Sequence, residues 1–241
     1  NFDLSNYPNL IAVPYKKTID AKGCKDENTG ETKPDDSQRK DYQRICLEMI
    51  LSFNASVCLA NYYSIKSSGD EKKTKKLMEA VKKHFTRKPE EDGELKYDLG
   101  QMSIGKWNQI ARDTSQVLFL ATDGGKGNEF LIKQIGDLYQ NKNKAWNTPV
   151  NQLITKRNKD AHGGVISDAE GLAKELDKRQ KMLDQLMTQM SFLADYKLIV
   201  PIDDDVQEGI LVHICKDLSG FGDTVISLDN ESLNGAEIDR Y

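Results

Sequence analysis

An arginine and a histidine five residues apart are the residues of this chain best suited to chemistry. They are Arg157 and His162, with Asn158 directly after the arginine and Gly163-Gly164 directly after the histidine. A guanidinium can hold a phosphate with two hydrogen bonds and can stabilise the charge that develops in a transition state. An imidazole, with a reference pKa of about 6.5, can exchange a proton at physiological pH. The pair therefore suits phosphodiester cleavage.

RNA is the phosphodiester that such a pair can cleave without a metal ion, because RNA supplies its own nucleophile, the 2′-hydroxyl. Attack by that hydroxyl yields a 2′,3′-cyclic phosphate. In this interpretation Asn158 orients the histidine or a phosphate oxygen, and Lys156 and Lys159 add positive charge that attracts a polyanion. The chemistry requires no metal ion, and we expect no other cofactor.

A purely structural interpretation of the same residues is also open. An arginine near the carboxyl end of a helix is favoured by the helix dipole, and a histidine before two glycines can cap carbonyl groups. A short motif of this kind also arises often by chance. The spacing alone therefore does not decide between catalysis and helix capping.

Composition and charge limit the classes of protein to which the chain can belong. Its 241 residues suffice for one domain, or for one domain with an extension. A net charge of −4 argues against a chain-wide nucleic-acid surface but permits a local basic site, so we expect no sequence-specific DNA binding. No apolar run reaches about 18 residues, and no secretory signal is evident, so we expect neither a transmembrane helix nor secretion.

The cysteines favour a reducing compartment. None of the four, Cys24, Cys46, Cys58 and Cys215, forms a CxxC pair with another. A disulfide framework and a zinc site are therefore not expected. Reduced, mostly buried thiols are typical of a cytoplasmic protein, which is the localisation that we predict.

Apolar residues at steps of three and four predict the helices that must position the motif. They indicate helices at about 37–66, 71–87, 104–121 and 128–141. The motif helix is predicted to start at Thr148-Pro149 and to end at Gly163-Gly164, with Arg157 on its core-facing edge. Ser167 with Glu170 predicts a capping box for a last long helix at about 168–195.

The two ends of the chain have different patterns from this helical part. Two prolines and two tyrosines in the range from Tyr7 to Tyr15 predict that residues 1–36 form an extended arm and loop, not a helix. Near residue 197 the apolar period changes to that of strands. Residues 198–241 are therefore predicted to form a small antiparallel β extension, cut short at Tyr241. Two histidines outside the motif, His84 and His213, are predicted to face solvent.

The motif and its context resemble a known superfamily. The residues from Arg157 to His162, RNKDAH, match the R-(N/D/H)-x3-H signature of the HEPN superfamily (higher eukaryotes and prokaryotes nucleotide-binding). Further segments are similar to HEPN-like N-terminal modules of larger bacterial proteins, some of them implicated in signalling and phage defence. They are Tyr7 to Tyr15, Ser103-x-Gly105-x-Trp107 and the Ala-His-Gly-Gly segment that begins at Ala161. The resemblance covers about residues 1–197 and implies a mainly α fold, with a HEPN-like helical bundle over residues 37–197.

This resemblance implies a homodimer in which two Arg–His motifs face each other and form one ribonuclease site. It assigns phosphate binding and transition-state stabilisation to Arg157, general acid–base catalysis to His162 and an orienting role to Asn158. The chain departs from the pattern in two respects. Asp160 lies inside the motif and can lower the local positive potential. No tyrosine follows His162 at the second position, so the subgroup of toxins with the pattern R-x4-H-x-Y is a poor match.

Three functions remain open on the sequence. The first is a metal-independent endoribonuclease that acts as a bacterial defence or stress effector. The second is a non-catalytic HEPN-like module that dimerises or senses a nucleotide or other ligand within a larger signalling protein. The third is a structural scaffold in which the motif only caps a helix.

Overall fold

The computed structural model describes residues 2–25, 32–67, 71–85, 102–121, 132–161, 168–208, 210–222 and 224–229. As the sequence predicts, the described chain is mainly helical with a small antiparallel sheet near its carboxyl end. Its α-helices are α1 (Asn9–Asp20), α2 (Asp36–Ser67), α3 (Glu71–Phe85), α4 (Ile104–Ala121), α5 (Lys133–Leu138), α6 (Lys144–Ala161) and α7 (Ala169–Gln189). Its strands are β1 (Cys24–Lys25), β2 (Thr32–Lys33), β3 (Ile199–Gln207), β4 (Ile210–Asp217) and β5 (Thr224–Asp229).

The chain divides into two compact units. The helical unit comprises Lys17–Met190, and the other unit combines Asn1–Lys16 with Ser191–Tyr241. The predicted boundaries, a bundle at 37–197 and an extension at 198–241, placed all of the first 36 residues in an arm. In the structure the first sixteen residues belong to the same unit as the sheet.

Helix α2 is the centre of the helical unit. It packs against α3, α4 and α7, and it buries a stripe of apolar side chains at steps of three and four residues. The buried apolar side chains of these helices include Leu47, Ile50 and Leu51 from α2, Ile110 from α4, and Leu176, Leu183 and Leu186 from α7.

The extended amino-terminal arm was predicted wrongly, because residues 9–20 form helix α1. Ile11, Ala12 and Tyr15 are buried at helical spacing, and this burial favours the helix despite Pro14 in its interior. Pro8 precedes the helix, and its carbonyl oxygen accepts hydrogen bonds from the amides of Ile11 and Ala12, at 2.8 and 2.9 Å. The predicted loop that follows contains the short antiparallel pair β1–β2.

The motif helix α6 begins one turn earlier than predicted. The side-chain oxygen of Asn143 accepts a hydrogen bond from the amide of Trp146 at 3.2 Å, so Asn143 caps the helix. Trp146 is fully buried and anchors the first turn. Thr148 and Pro149, the predicted start, lie inside the helix, where the Pro149 ring is buried.

The starts of α5 and α7 also differ from their predictions. Asp168 is the N-cap of α7, and its side chain accepts a hydrogen bond from the amide of Gly171. The predicted cap, Ser167, lies outside the described residues. A short 3-10 helix at Ser191–Asp195 follows α7. Helix α5 is shorter than the predicted 128–141, of which residues 128–131 lie outside the described residues.

The small sheet has the order β3–β4–β5 and is antiparallel throughout, as predicted. Asp204 lies opposite His213 in the first pair, and Cys215 lies opposite Ile226 in the second. A register shift between Pro201 and Asp203 interrupts the first pair.

The cysteine side chains that the structure describes are buried. Cys46, Cys58 and Cys215 are buried free thiols, as predicted, and burial raises the pKa of Cys58 to about 12. The side chain of Cys24 lies outside the described part.

Within the described ranges, no helix combines the length and the apolar character that a membrane crossing requires.

The cap of α6 gives a first prediction. Replacing Asn143 with alanine should lower the free energy of unfolding of the helical unit by about 1 kcal/mol, because the amide of Trp146 loses its acceptor. Urea denaturation followed by far-ultraviolet circular dichroism measures this loss. Thr148→Ala is the matched control: Thr148 is exposed inside the helix, so its replacement should change stability by less than about 0.5 kcal/mol. A larger loss for Thr148→Ala than for Asn143→Ala would show that the cap is wrongly assigned.

Candidate functional site

The Arg–His motif lies at the carboxyl end of α6. The helix ends at Ala161, and Arg157 and Asn158 lie in its last turns. His162 and Gly163-Gly164 lie outside the described residues. The structure therefore gives the surroundings of the arginine and of the residues between it and the histidine.

Arg157 is half-buried, and no carboxylate pairs with it among the described residues. Its Nη1 donates a hydrogen bond to the Oδ1 of Asn158 at 3.3 Å. Its Nε is buried and has no hydrogen-bond partner in the described part of the chain. A buried donor without an acceptor costs about 1–3 kcal/mol, so the guanidinium of Arg157 does not have a full set of hydrogen bonds within the described chain.

Arg157 lines an open cavity of about 320 Å³ between three helices of the helical unit. Four basic and two acidic side chains contribute to its lining, so the charge of the lining is positive although the chain as a whole is negative. The charged and polar residues of the lining are Lys40, Asp41, Gln43 and Arg44 from α2, Arg157 and Asp160 from α6, and Arg179 from α7.

Asp160, the acidic residue inside the motif, is engaged by basic partners. Its two carboxylate oxygens accept hydrogen bonds from Arg179 at 2.6 and 3.1 Å, and Lys40 lies 3.7 Å away. Burial by itself raises the pKa of Asp160, but the hydrogen bonds and charges of Arg179 and Lys40 outweigh it and hold the pKa below its ordinary value. The negative charge inside the motif is thus compensated by its neighbours.

The two lysines predicted to bind phosphate differ in their surroundings. Lys156 forms an ion pair with Glu175, which also accepts a hydrogen bond from the Nε of Arg179 at 3.1 Å. Lys159 is exposed. The positive charge of Lys156 is therefore largely neutralised by Glu175, whereas the side chain of Lys159 faces solvent.

Arg179 connects these ion pairs into one network between α6 and α7. Its side chain is 8% exposed and contacts both Asp160 and Glu175. Lys156 and Asp160 are one helical turn apart, so both face α7. Leu153 and Arg157 are also one turn apart, and both line the cavity, as do Asp160 and Arg179. The network therefore fixes the last turns of α6 in the orientation that directs Arg157 to the cavity.

The prediction that His84 and His213 face solvent was wrong. The His84 side chain is 9% exposed, and its Nε2 lies 2.8 Å from the Oδ2 of Asp113. His213 is buried in β4, where its Nδ1 lies 2.6 Å from the Oδ1 of Asp204, directly opposite in β3. In both cases a nearby carboxylate satisfies a ring nitrogen, so burial is tolerated. Neither histidine lines the Arg157 cavity.

The sequence predictions missed Arg179 and the two basic residues of α2. Glu175 and Arg179 are four residues apart, a spacing typical of helical ion pairs, but this signal does not reveal the contact with Asp160. Lys40 and Arg44 are also four residues apart. More than a hundred residues separate them from Arg157, and only the fold brings them to the same cavity.

No group of three or more potential metal-ligating side chains is present within the ranges that the structure describes. No model of a known protein family, no curated protein and no solved structure matches the chain significantly.

The ion-pair network gives a second prediction, on pH. Burial raises the pKa values of Asp160 and Glu175, but the effect of their cationic partners is larger. Both pKa values therefore lie below their ordinary values of 3.8 and 4.5. Such groups stabilise the fold at a pH above their unfolded pKa, and this stability is lost as the pH falls through their folded pKa. We therefore expect the free energy of unfolding to fall as the pH decreases below about 4.5.

Asp160→Asn tests this dependence directly. At neutral pH the variant should lose about 2 kcal/mol of stability, because buried Arg179 loses one of its two carboxylates. Its loss of stability on acidification should also be smaller than that of the parent. The control is Glu170→Gln, which removes an exposed pair with Lys174 on α7 and should cost less than about 1 kcal/mol. Equal losses in denaturation experiments on the two variants would contradict the proposed role of the network.

Proposed function

We propose that this protein is a metal-independent endoribonuclease that acts as a homodimer through Arg157 and His162. The observation that carries this proposal is the guanidinium of Arg157. It lies at the end of the motif helix, lines a cavity with a positive lining, and has no carboxylate partner among the described residues. A guanidinium without a carboxylate partner can bind two oxygens of a phosphate with two parallel hydrogen bonds.

In the proposed reaction the 2′-hydroxyl of the RNA attacks the adjacent phosphorus while a histidine accepts its proton. The bond between phosphorus and the 5′-oxygen breaks, and a histidine donates a proton to that oxygen. The products are a 2′,3′-cyclic phosphate and a 5′-hydroxyl. Arg157 binds the phosphate and stabilises the charge that develops on its oxygens, and Asn158, already hydrogen-bonded to Arg157, orients the group.

The homodimer supplies the second set of groups for this reaction. One copy of the chain contributes one Arg157 and one His162. Two histidines allow separate groups to remove and to donate the proton, whereas a single histidine must accept a proton and then donate it, which is slower. The resemblance to the HEPN superfamily supports this arrangement, in which two motifs face each other. RNA cleavage by such a dimer suits a bacterial defence or stress effector.

Two observations support an anion in this cavity despite the acidic residue of the motif. Asp160 is paired with Arg179, so its charge does not compete for Arg157. Lys40 and Arg44 contribute further positive charge from α2. The cavity lining near Arg157 therefore contains more basic than acidic side chains, which favours a bound phosphate.

A second candidate is a non-catalytic HEPN-like module that dimerises and binds a nucleotide or related ligand. The pairing of Lys156 with Glu175 favours it, because this pairing reduces the basic surface offered to a long RNA strand. The cavity of one chain already contains several basic groups. This candidate predicts anion binding by the dimer without cleavage of any RNA.

Cleavage of a fluorogenic RNA in EDTA tests the first candidate. Arg157→Ala should lower the cleavage rate about 100- to 1,000-fold, because the transition state loses its cationic partner. His162→Ala should lower it about 100- to 10,000-fold through loss of proton transfer. Lys178→Ala, which removes an exposed charge from α7, is the control and should cleave like the parent. Mass spectrometry should detect the 2′,3′-cyclic phosphate end.

Mixed dimers separate the composite site from a site within one chain. Subunits carrying Arg157→Ala and subunits carrying His162→Ala are each expected to be inactive alone. Their mixture should regain part of the activity, because the mixed dimer contains one intact arginine and one intact histidine. Parental cleavage by either single variant, or loss of activity in EDTA, would contradict the mechanism. A mixture as inactive as its components would contradict the shared site.

A further inference from the structure

Helix α2 contributes two basic side chains to the cavity that Arg157 lines. Lys40 and Arg44 are one helical turn apart, so they share a face of α2, and both line the cavity. Neither belongs to the Arg–His motif. The positive charge of the cavity thus comes from α2 as well as from α6 and α7, which are distant from α2 in the sequence.

Both α2 cations have weak contacts with carboxylates. The Nζ of Lys40 lies 3.7 Å from Asp160, whose oxygens already accept two shorter hydrogen bonds from Arg179. Arg44 lies 3.4 Å from Glu48 and 4.0 Å from Asp41, and all three side chains are partly or largely exposed. Exposed pairs of this kind contribute little stability, so an incoming anion can replace them at low cost.

The basic residues in contact with the core differ in this respect. Arg39, next to Lys40 in the sequence, is 2% exposed and donates a hydrogen bond to Asp177 at 2.6 Å. Arg179 is similarly held by two carboxylates. Arg39 and Arg179 therefore serve the fold, whereas Lys40, Arg44 and Arg157 are the cations of this region that a ligand can engage.

The size of the cavity restricts the ligand. Its volume of about 320 Å³ lies at the lower end of the range of about 300–1,000 Å³ for small-molecule sites. Such a volume accommodates about one nucleotide and excludes a duplex. Lysine and arginine side chains at its edge suit the phosphate of a flexible single strand.

We propose that Lys40 and Arg44 form a phosphate-binding subsite for single-stranded RNA. The subsite holds the phosphate next to the one bound by Arg157 and so positions the strand for cleavage. The assignment to an RNA strand rests on the proposed ribonuclease function, whereas phosphate binding by α2 does not require cleavage. Lys40 and Arg44 are positioning residues, because they act on a phosphate that does not react.

Binding of a 2′-O-methyl RNA oligonucleotide tests the subsite separately from catalysis, because its blocked 2′-hydroxyl cannot attack. Lys40→Ala and Arg44→Ala should each weaken binding about tenfold, as expected for the loss of one charge-assisted contact. Each should also lower the slope of log affinity against log salt concentration by about 0.7. Arg44→Lys should retain most of the affinity, and Lys75→Ala on α3, an exposed lysine outside the cavity, should bind like the parent.

The outcomes distinguish the subsite from the ribonuclease function. If Lys40→Ala and Arg44→Ala bind with parental affinity and salt dependence, the subsite is refuted, whether or not the protein cleaves RNA. If they bind weakly while no RNA is cleaved, the subsite stands and the ribonuclease proposal fails. A parallel titration with adenosine monophosphate identifies the source of the phosphate. Binding of the mononucleotide through Lys40 and Arg44 without binding of the oligonucleotide would overturn the assignment to an RNA strand.

With unmodified RNA as the substrate, cleavage kinetics provide a further measurement. Lys40→Ala and Arg44→Ala should raise KM about tenfold and change kcat less, because binding to a non-reacting phosphate is similar in the ground state and the transition state. Circular dichroism should show that both variants are folded, since both residues are partly exposed. An unchanged KM with a strongly reduced kcat would contradict a positioning role.

Discussion

The candidate site depends on the pairing of the buried guanidinium of Arg179 with Asp160 and Glu175. A charge removed from water is tolerated only when partners compensate for the lost hydration, and here two carboxylates from different helices do so. One of them, Asp160, lies inside the Arg–His motif. The electrostatic requirement of a residue in α7 therefore fixes the last turns of α6, on which any chemistry of Arg157 depends.

This constraint explains how an acidic residue can lie inside a motif suited to anions. Arg157 and Asp160 both line the cavity, but the carboxylate of Asp160 is paired with Arg179, so its negative charge is compensated within the chain. The cations that satisfy the carboxylates belong to the fold. The guanidinium of Arg157, without a carboxylate partner among the described residues, is left for a ligand.

The sequence predicted the parts of the fold that depend on local pattern, and it failed where distant residues decide. Apolar spacing predicted α2, α4 and the sheet, because burial of one face is encoded every three or four residues, or every second residue. It missed the amino-terminal helix, where prolines suggested extended backbone but burial of Ile11 and Tyr15 prevailed. A pattern identifies a face of a helix but not its partner. The sequence pattern therefore could not predict the contacts of Asp160 with Arg179, or that Lys40 and Arg157 line the same cavity.

The three helices around the cavity are joined by polar contacts as well as by the apolar core. Arg39 binds Asp177, and the side-chain amide of Gln43 donates to the carbonyl oxygen of Leu176 at 3.0 Å, so α2 is joined to α7. Arg179 joins α7 to α6. A cavity whose walls are connected in this way loses little conformational freedom when a ligand enters, so more of the interaction energy appears as affinity. The polar contacts that stabilise the helical unit thus also prepare the cavity for an anion.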